Sequence, residues 1–207
     1  IFTVHLPLWR PGRYEAQNYA ANIRNLIVHD EGYKEYPVKK IQSNTWRIVN
    51  DGAPRITISY QYYCDQTDAG GSLVSKKEWY INFINCLLFI PQKTFQPCRV
   101  TLDLPEEWNV ACGIPYQNKQ LYADDYFQLI DSPLLASESC HHISYEVNEI
   151  PFYIHFAQKP NLDLEKITRD FKAFTETQIK LFGTFPEKDY HFIIYNTSFP
   201  FYHGVEH

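Results

Sequence analysis

The periodicity of the apolar residues constrains the fold of this chain more than any other feature. From residue 1 to about residue 156, apolar residues either alternate with polar ones or form short apolar segments separated by turn-forming residues. This pattern is typical of antiparallel strands. Between Arg55 and Tyr60 the alternation is strict, which predicts a strand with one buried and one solvated face. The sequence therefore predicts a mainly β fold, either an antiparallel β-sandwich or a saddle-shaped sheet.

The predicted strands follow one another at short intervals. We place them at residues 2–8, 23–30, 45–49, 55–63, 79–90, 99–104, 109–112, 142–147 and 151–156. Turn chemistry, rich in Gly, Asp and Asn, predicts reversals at residues 30–32, 50–52 and 69–71.

The periodicity changes after Pro160 to that of an amphipathic helix. We predict that Asn161 caps this helix, that Asp163 and Glu165 lie in its first turn, and that Gly183 ends it. A further strand is expected at residues 190–195. We therefore predict two domains: residues 1–150 form the antiparallel β domain, and residues 151–207 begin a second domain.

Composition and charge exclude several function classes. The chain has 207 residues, a net charge of -5 and a pI near 5.9, without a basic cluster, so nucleic acid is not an expected partner. No apolar segment approaches the roughly 20 residues that a membrane-spanning helix needs. The five cysteines are widely spaced, and we predict buried free thiols rather than a disulfide framework or a zinc ribbon. Ile1 is not an initiator residue, so a removed leader is compatible with the chain, and a periplasmic or secreted location is slightly favoured over a cytoplasmic one.

The last five residues, His203-Gly204-Val205-Glu206-His207, concentrate imidazoles and a carboxylate. Their spacing matches H-x-x-E-H, the inverted zincin signature, in which both histidines bind zinc and the glutamate is the general base. The local sequence argues against that interpretation, because Pro200 and Gly204 disfavour the helix that the signature requires. A second interpretation is a solvated loop with incidental histidines.

A third interpretation comes from motifs that span nearly the whole chain. They are Leu6-Pro7-Leu8-Trp9-Arg10-Pro11-Gly12-Arg13-Tyr14, Leu104-Pro105-Glu106-Glu107-Trp108, the run from Ala123 to Pro133, Leu181-Phe182-Gly183-Thr184-Phe185-Pro186 and the last five residues. In this order they resemble L-P-x-W-x-P-G-x-Y, L-P-x-x-W, A-x-D-Y-D-x-L-x-D-S-P, L-F-G-x-x-P and G-G-x-E-H of the glycyl aminopeptidase family of zinc metallopeptidases, whose members often carry a PDZ domain. The chain departs from these patterns at His203, which replaces a glycine, and at Phe127, which replaces an acidic residue.

The resemblance implies a β-rich N-terminal domain followed by the first helix and strand of a thermolysin-like α+β catalytic domain. The family's catalytic H-E-x-x-H is not in the sequence, so we expect zinc to be the cofactor of the parent enzyme, with its ligands outside this chain. The expected partners are a peptide substrate with a free N-terminus and the remainder of the catalytic domain.

The same resemblance implies substrate-binding roles for Gly204, Val205, Glu206 and His207, with Glu206 binding the substrate ammonium. No catalytic residue or metal ligand is expected within the 207 residues, which alone should be inactive. Two alternatives remain. One is a non-enzymatic β-sandwich module that binds a protein or glycan through Tyr60, Tyr62 and Tyr63, and the other is a relative that has lost the metal.

Smaller features have structural interpretations. Residues 9–14 predict a corner with Trp9 in the core, where Gly12 permits the turn, although Tyr14 or the two arginines could instead line the cleft. Asp131-Ser132-Pro133 predicts a turn. We expect His141 and His142 at the surface, and His155 and His191 partly buried with backbone partners.

Overall fold

A computed structural model of the chain describes residues 1–196 and 203–205. The prediction of a mainly β fold with antiparallel sheets is confirmed. The strands are β1 (Phe2–His5), β2 (Ile23–Asp30), β3 (Val38–Gln42), β4 (Thr45–Ile48), β5 (Ile56–Tyr62), β6 (Leu73–Val74), β7 (Glu78–Ile81), β8 (Cys98–Thr101), β9 (Asn109–Ala111), β10 (Tyr116–Gln117), β11 (Gln120–Ala123), β12 (Leu134–Ser137), β13 (His141–Val147), β14 (Ile150–Phe156) and β15 (Tyr190–Ile194). The helices are α1 (Phe83–Cys86), α2 (Tyr126–Ile130) and α3 (Leu164–Phe182), with short 3₁₀ turns at Tyr19–Asn22 and Pro91–Lys93.

Most strands belong to four small antiparallel sheets, ordered β1-β4-β3, β2-β5, β10-β11-β8 and β6-β7-β12-β9. Burial in β5 alternates along the strand, as its sequence predicts. One apolar core contains Val4, Trp46 and Ile48 from the first of these sheets, and Leu6, which follows β1. A second core gathers residues from the later strands, among them Leu121 and Leu134, which are fully buried.

The last sheet combines both strand directions in the order β13-β14-β15. β13 and β14 form an antiparallel hairpin, and β14 pairs in parallel with β15, with α3 as the connection between them. The apolar side of α3 packs on this sheet through Ile167, Phe171 and Ile179. The predicted domain division after residue 150 falls in the β13–β14 hairpin, and it stays a prediction.

Helix α3 confirms the predicted helix but begins later than expected. The residue at its N-terminal cap is Asp163, whose carboxylate accepts a hydrogen bond from the backbone N–H of Lys166 at 2.9 Å. The prediction of Asn161 as the cap is therefore wrong, because a carboxylate closer to the first apolar residue satisfies the free N–H groups. Gly183 ends the helix with a φ of 81°, the left-handed conformation that glycine adopts without strain.

The strand predicted at residues 79–90 is wrong beyond its first residues. β7 ends at Ile81, and the chain turns at once into α1. The cause is a pair of buried asparagines, Asn82 and Asn85, whose side chains bind the backbone of a neighbouring loop. An apolar segment of this length does not by itself distinguish a strand from a buried turn of helix.

The five cysteines are free thiols, as predicted. Cys112 is buried and the other four are half-buried, so the expected full burial holds for one of them. Burial raises the pKa of the Cys112 thiol to about 11, which keeps it protonated and unreactive at neutral pH. Among the described residues, no helix is both long and apolar enough to cross a membrane.

Candidate functional site

Residues 203–205 lie where the N-terminal sheets meet β15. His203 and Gly204 line three cavities, and Val205 lines two of them. The first, of about 580 Å³, lies between the loop at residues 67–69, Tyr80 and the end of β15. The second, of about 500 Å³, extends towards the end of α2 and residues 187–191. The third, of about 260 Å³, is lined by Arg10, Gly12 and Arg13 together with residues 203–205.

Two of the four predicted substrate-binding residues, Gly204 and Val205, are thus placed at a cleft. A side-chain carbon added at Gly204 would meet no atom within 4 Å, so the space beside its backbone is open. Glu206 and His207 lie outside the described residues, and their predicted roles stay predictions.

The loop at residues 64–72 forms one wall of the first cavity. The Asp68 carboxylate accepts hydrogen bonds from the Gly70 N–H at 2.8 Å and from Gln66 Nε2 at 2.5 Å. The Tyr80 hydroxyl donates to the Ala69 carbonyl at 2.6 Å. The predicted reversal at residues 69–71 is therefore part of a loop whose own side chains fix its shape.

Asn82 and Asn85 anchor this loop from the interior. Asn82 is 1% exposed, and its Nδ2 donates to the Ala69 and Gly71 carbonyls at 3.1 and 2.5 Å. Asn85 Nδ2 donates to the Gly70 carbonyl at 3.0 Å. In the sequence the two asparagines were only interruptions of an apolar segment. Their spacing of three residues was the signal that both lie on one side of a helical turn.

The turn at residues 10–13 lines the third cavity. The Arg13 N–H donates to the Arg10 carbonyl at 3.2 Å, and Gly12 has a φ of 76°, so the expected corner is present. The prediction of Trp9 in the core is wrong: Trp9 is 52% exposed and its ring lies 6.1 Å from that of Tyr14, outside the core. The buried residue is Arg10, which is 5% exposed and lies against Gly70.

His203 places an imidazole at the mouth of these cavities. Its Nδ1 lies 3.8 Å from the Asp68 carboxylate, and its side chain is 35% exposed. Glycine at this position, as in the motif that the chain resembles, would leave the cavities wider and without this imidazole.

The end of α2 lines the second cavity. Asp131, Ser132 and Pro133 follow the helix as a turn, in which the Ser132 hydroxyl donates to the Gln128 carbonyl at 2.9 Å. Asp131, Glu187 and Asp189 together make this cavity acidic. The sequence predicted the turn at residues 131–133 but not its position at the cleft.

His155 and His191 form a pair on the face of the sheet that is opposite to α3. His155 Nε2 and His191 Nδ1 are joined by a hydrogen bond of 2.9 Å, and the rings are stacked, with an interplanar angle of 7°. The expectation of backbone partners is wrong, because one nitrogen of each ring binds the other imidazole, and His191 Nε2 lies 3.6 Å from the Asp189 carboxylate. Burial, and then the nearby His191 and His142, lower the pKa of His155 to about 4, and burial also lowers the pKa of His191.

This pair should make the fold sensitive to acid. His155 has a pKa of about 4 when folded and about 6.5 when unfolded, so the unfolded state binds more protons below pH 6.5. Stability is therefore complete above that pH and falls as the pH drops towards 4. We expect the free energy of unfolding to fall by about 2 kcal/mol between pH 7.5 and pH 5 from His155 alone. Urea titrations at the two pH values measure this loss.

The His155→Gln variant should lose that part of the pH dependence. His29→Gln is the control, since His29 lies outside the pair in β2, and it should keep the wild-type dependence. An equal pH dependence in the wild type and His155→Gln would show that the pair titrates normally.

The described residues contain no group of three His, Cys, Asp or Glu side chains arranged to hold a metal ion. The donor set of these residues therefore does not fit a zinc site. His141 and His142, adjacent in β13, are half-buried and exposed respectively, so the expected surface position holds for His142. His141 Nε2 is buried and without a hydrogen-bond partner among the described residues.

The aromatic surface expected for a binding module is smaller than predicted. Tyr60 and Tyr62 are half-buried, and the Tyr60 hydroxyl donates to the Cys86 carbonyl at 2.6 Å. Burial raises the pKa of Tyr60 to about 12. Of these three tyrosines, Tyr63 is the exposed one, at 64%, so the prediction of a three-ring surface is wrong.

Comparison with known proteins gives a family and similar structures. Residues 2–138 match the model of the Peptidase M61 N-terminal domain. An aminopeptidase N family protein from Idiomarina loihiensis is similar over 94% of this chain and 34% of its own, with a TM-score of 0.86 and 27% identity. An M1 zinc metallopeptidase from Deinococcus radiodurans aligns with 92% of this chain and 47% of its own, with a TM-score of 0.48 and 10% identity. The chain spans about a third of the first protein and about half of the second. No curated protein matches it.

Proposed function

The chain belongs to the Peptidase M61 N-terminal domain family, and from this premise we propose that it is the N-terminal part of a zinc-dependent aminopeptidase similar to the glycyl aminopeptidase family. In this proposal the chain supports the catalytic domain and forms one side of the substrate cleft. Its partners are the remainder of the catalytic domain and a peptide with a free N-terminus.

The observation that carries the proposal is the position of residues 203–205. These residues lie among the cavities between the loop at residues 67–69, the turn at residues 10–13 and the end of β15. A segment that binds an extended substrate needs an open cleft beside its backbone, and the free space at Gly204 supports this role.

Glu206 directly follows this segment, and we propose that its carboxylate binds the ammonium group of the substrate. A carboxylate beside a partly desolvated cleft binds an ammonium more strongly than it would in water, because the hydrogen bonds are charge-assisted. Gly204 and Val205 would contact the substrate backbone, and His207 would complete the motif. The role of these residues is to position the substrate, so they affect its binding and orientation rather than the metal.

Zinc would be held by residues of the parent enzyme outside this chain, since the described residues offer no suitable group of ligands. We therefore derive no reaction step through the metal from these residues. The 207 residues alone should cleave no peptide.

The test is Glu206→Gln in the parent enzyme. Loss of the charge-assisted contact should lower kcat/KM for an aminoacyl p-nitroanilide on the order of a hundredfold. The zinc content, measured by atomic absorption, should not change. Glu107→Gln is the control, because Glu107 is exposed in the N-terminal region, and its activity should equal that of the wild type.

Two results would contradict the assignment. Wild-type kcat/KM in Glu206→Gln would show that another group binds the ammonium. Joint loss of zinc and activity would instead favour the H-x-x-E-H interpretation, in which this segment surrounds the metal.

A further inference from the structure

We propose that Arg10 and Arg13 form an anion subsite beside residues 203–205 that selects substrates with an acidic side chain on their N-terminal residue. The inference rests on the proposed function, since it concerns the same cleft. Both arginines occupy positions that the motif L-P-x-W-x-P-G-x-Y leaves open, so they are features of this chain rather than of the pattern.

The local fold directs both arginines to one place. The 260 Å³ cavity is lined by these two residues, by Gly12 between them, and by residues 203–205. The positive φ of Gly12, 76°, reverses the chain so that Arg13 returns beside Arg10. The subsite is thus formed by the turn at residues 10–13, whose first residue, Arg10, is buried.

Gly70 fixes the guanidinium of Arg10. A side-chain carbon at Gly70 would lie 2.2 Å from Arg10 Nη2 and 2.6 Å from its Cζ, so the guanidinium occupies space that only glycine leaves free. Arg10 is 5% exposed, although its long side chain has many conformations to lose. This placement pre-organises the charge before a ligand arrives, which lowers the entropic cost of binding.

Among the described residues, the polar partner of the Arg10 side chain is the Tyr19 hydroxyl rather than a carboxylate. Within residues 1–196 and 203–205, no carboxylate lies within 4 Å of its guanidinium, whereas Arg13 pairs with Glu15 at 2.6 Å. Asp68 is held by its own loop. The buried Tyr19 is close enough for Arg10 and Arg13 to oppose the rise that burial causes in its pKa. A substrate carboxylate in this cavity would accept charge-assisted hydrogen bonds from the two guanidinium groups.

The 260 Å³ cavity lies close to where the N-terminal residue of a substrate would bind. Val205 lines it, and Glu206 is the next residue, with consecutive Cα atoms about 3.8 Å apart. A substrate whose ammonium binds Glu206 therefore has its first side chain within reach of this cavity. A planar guanidinium binds a carboxylate through two parallel hydrogen bonds, which favours Asp and Glu over their amides.

Charge distinguishes this cavity from its neighbour. The 500 Å³ cavity is lined by Asp131, Glu187 and Asp189, which repel an anion. An acidic side chain would therefore be directed towards the arginines. Such selectivity would set this protein apart from an enzyme that takes N-terminal glycine.

The experiment compares two ligands that differ in one charge. Calorimetry on the 207-residue chain measures the binding of L-glutamic acid α-amide and L-glutamine α-amide. We expect the wild type to bind the glutamic acid derivative on the order of tenfold more tightly, the strength of one charge-assisted contact. Arg10→Met should abolish this preference, and Arg13→Gln, an exposed change, should reduce it.

A matched control and a folding check accompany these variants. Arg55 is 77% exposed and pairs with Glu31 away from the cleft, so Arg55→Met should keep the full preference. Circular dichroism melting shows whether Arg10→Met folds. If it does not fold, the test is whether Arg13→Gln still prefers the glutamic acid derivative over the glutamine derivative. An unchanged preference in Arg13→Gln overturns the subsite.

Activity assays separate this inference from the proposed function. Glutamyl and glutaminyl p-nitroanilides are offered to the parent enzyme. Turnover without a preference for the glutamyl substrate, and without one in binding, overturns the subsite and leaves the aminopeptidase assignment. An Arg10-dependent preference in binding, with no turnover of any substrate, supports the subsite and overturns the aminopeptidase assignment. No binding and no turnover overturn both.

Discussion

Replacing Asn82 with alanine is expected to lower the free energy of unfolding by about 4 kcal/mol. The Asn82 amide is the hydrogen-bond donor to the carbonyls of Ala69 and Gly71, and it is 1% exposed. Alanine leaves both carbonyls without that donor and leaves a cavity in place of the amide. Loss of the Asn82 Oδ1 atom, which has no partner among the described residues, offsets a small part of the cost.

Urea denaturation monitored by circular dichroism measures this change. The matched control is Asn109→Ala, since Asn109 is an exposed asparagine of β9, and it should stay within about 0.5 kcal/mol of the wild type. A loss below about 1 kcal/mol in Asn82→Ala would mean that water replaces the amide and that the loop does not depend on this anchor.

Replacing Gly71 with alanine is expected to cost about 3 kcal/mol for a different physical reason. The new methyl group would lie 2.5 Å from the Gln66 backbone carbonyl oxygen and 2.7 Å from Gln66 Cγ. A backbone atom in a closed loop cannot move away without breaking the hydrogen bond from the Gln66 N–H to the Ser72 carbonyl. Steric overlap of this kind costs about 1 to 3 kcal/mol in a well-packed region, and more where backbone must shift.

Gly113→Ala provides the comparison. A methyl group at Gly113 would approach only the Ser132 hydroxyl, at 3.7 Å, which is ordinary van der Waals contact. Thermal melting should place this variant near the wild type and Gly71→Ala well below it. Equal melting temperatures for the two variants would show that the loop at residues 64–72 adapts to the added carbon.

Local patterns in the sequence were sufficient to predict many of the strands and the long helix of the fold. The alternation in β5 and the apolar stripe of α3 reflect periodicities that a half-buried strand and an amphipathic helix impose on any sequence. Gly183 was predicted correctly because few other residues adopt a positive φ at a helix end. The short strands β3, β6, β10, β11 and β12 were missed, since two to five residues carry too little pattern, and their pairing depends on other parts of the chain.

The candidate site was predicted less completely than the fold. Motif resemblance indicated residues 204 and 205, because that segment is contiguous in sequence. Arg10 was named only as an alternative lining of the cleft, and Asn82 was not identified as part of it, since their roles come from contacts with a loop that is distant in sequence. Burial of Arg10 in place of Trp9 reverses the usual preference of the two residue types, and no local pattern predicts it.

The position of β15 at the end of its sheet has a consequence for handling this chain. Within residues 1–196 and 203–205, β14 is the only strand that pairs with β15, so one row of its amide and carbonyl groups has no strand partner among these residues. Such rows act as templates for further strands. Concentrated solutions of the 207-residue chain are therefore expected to self-associate through this edge.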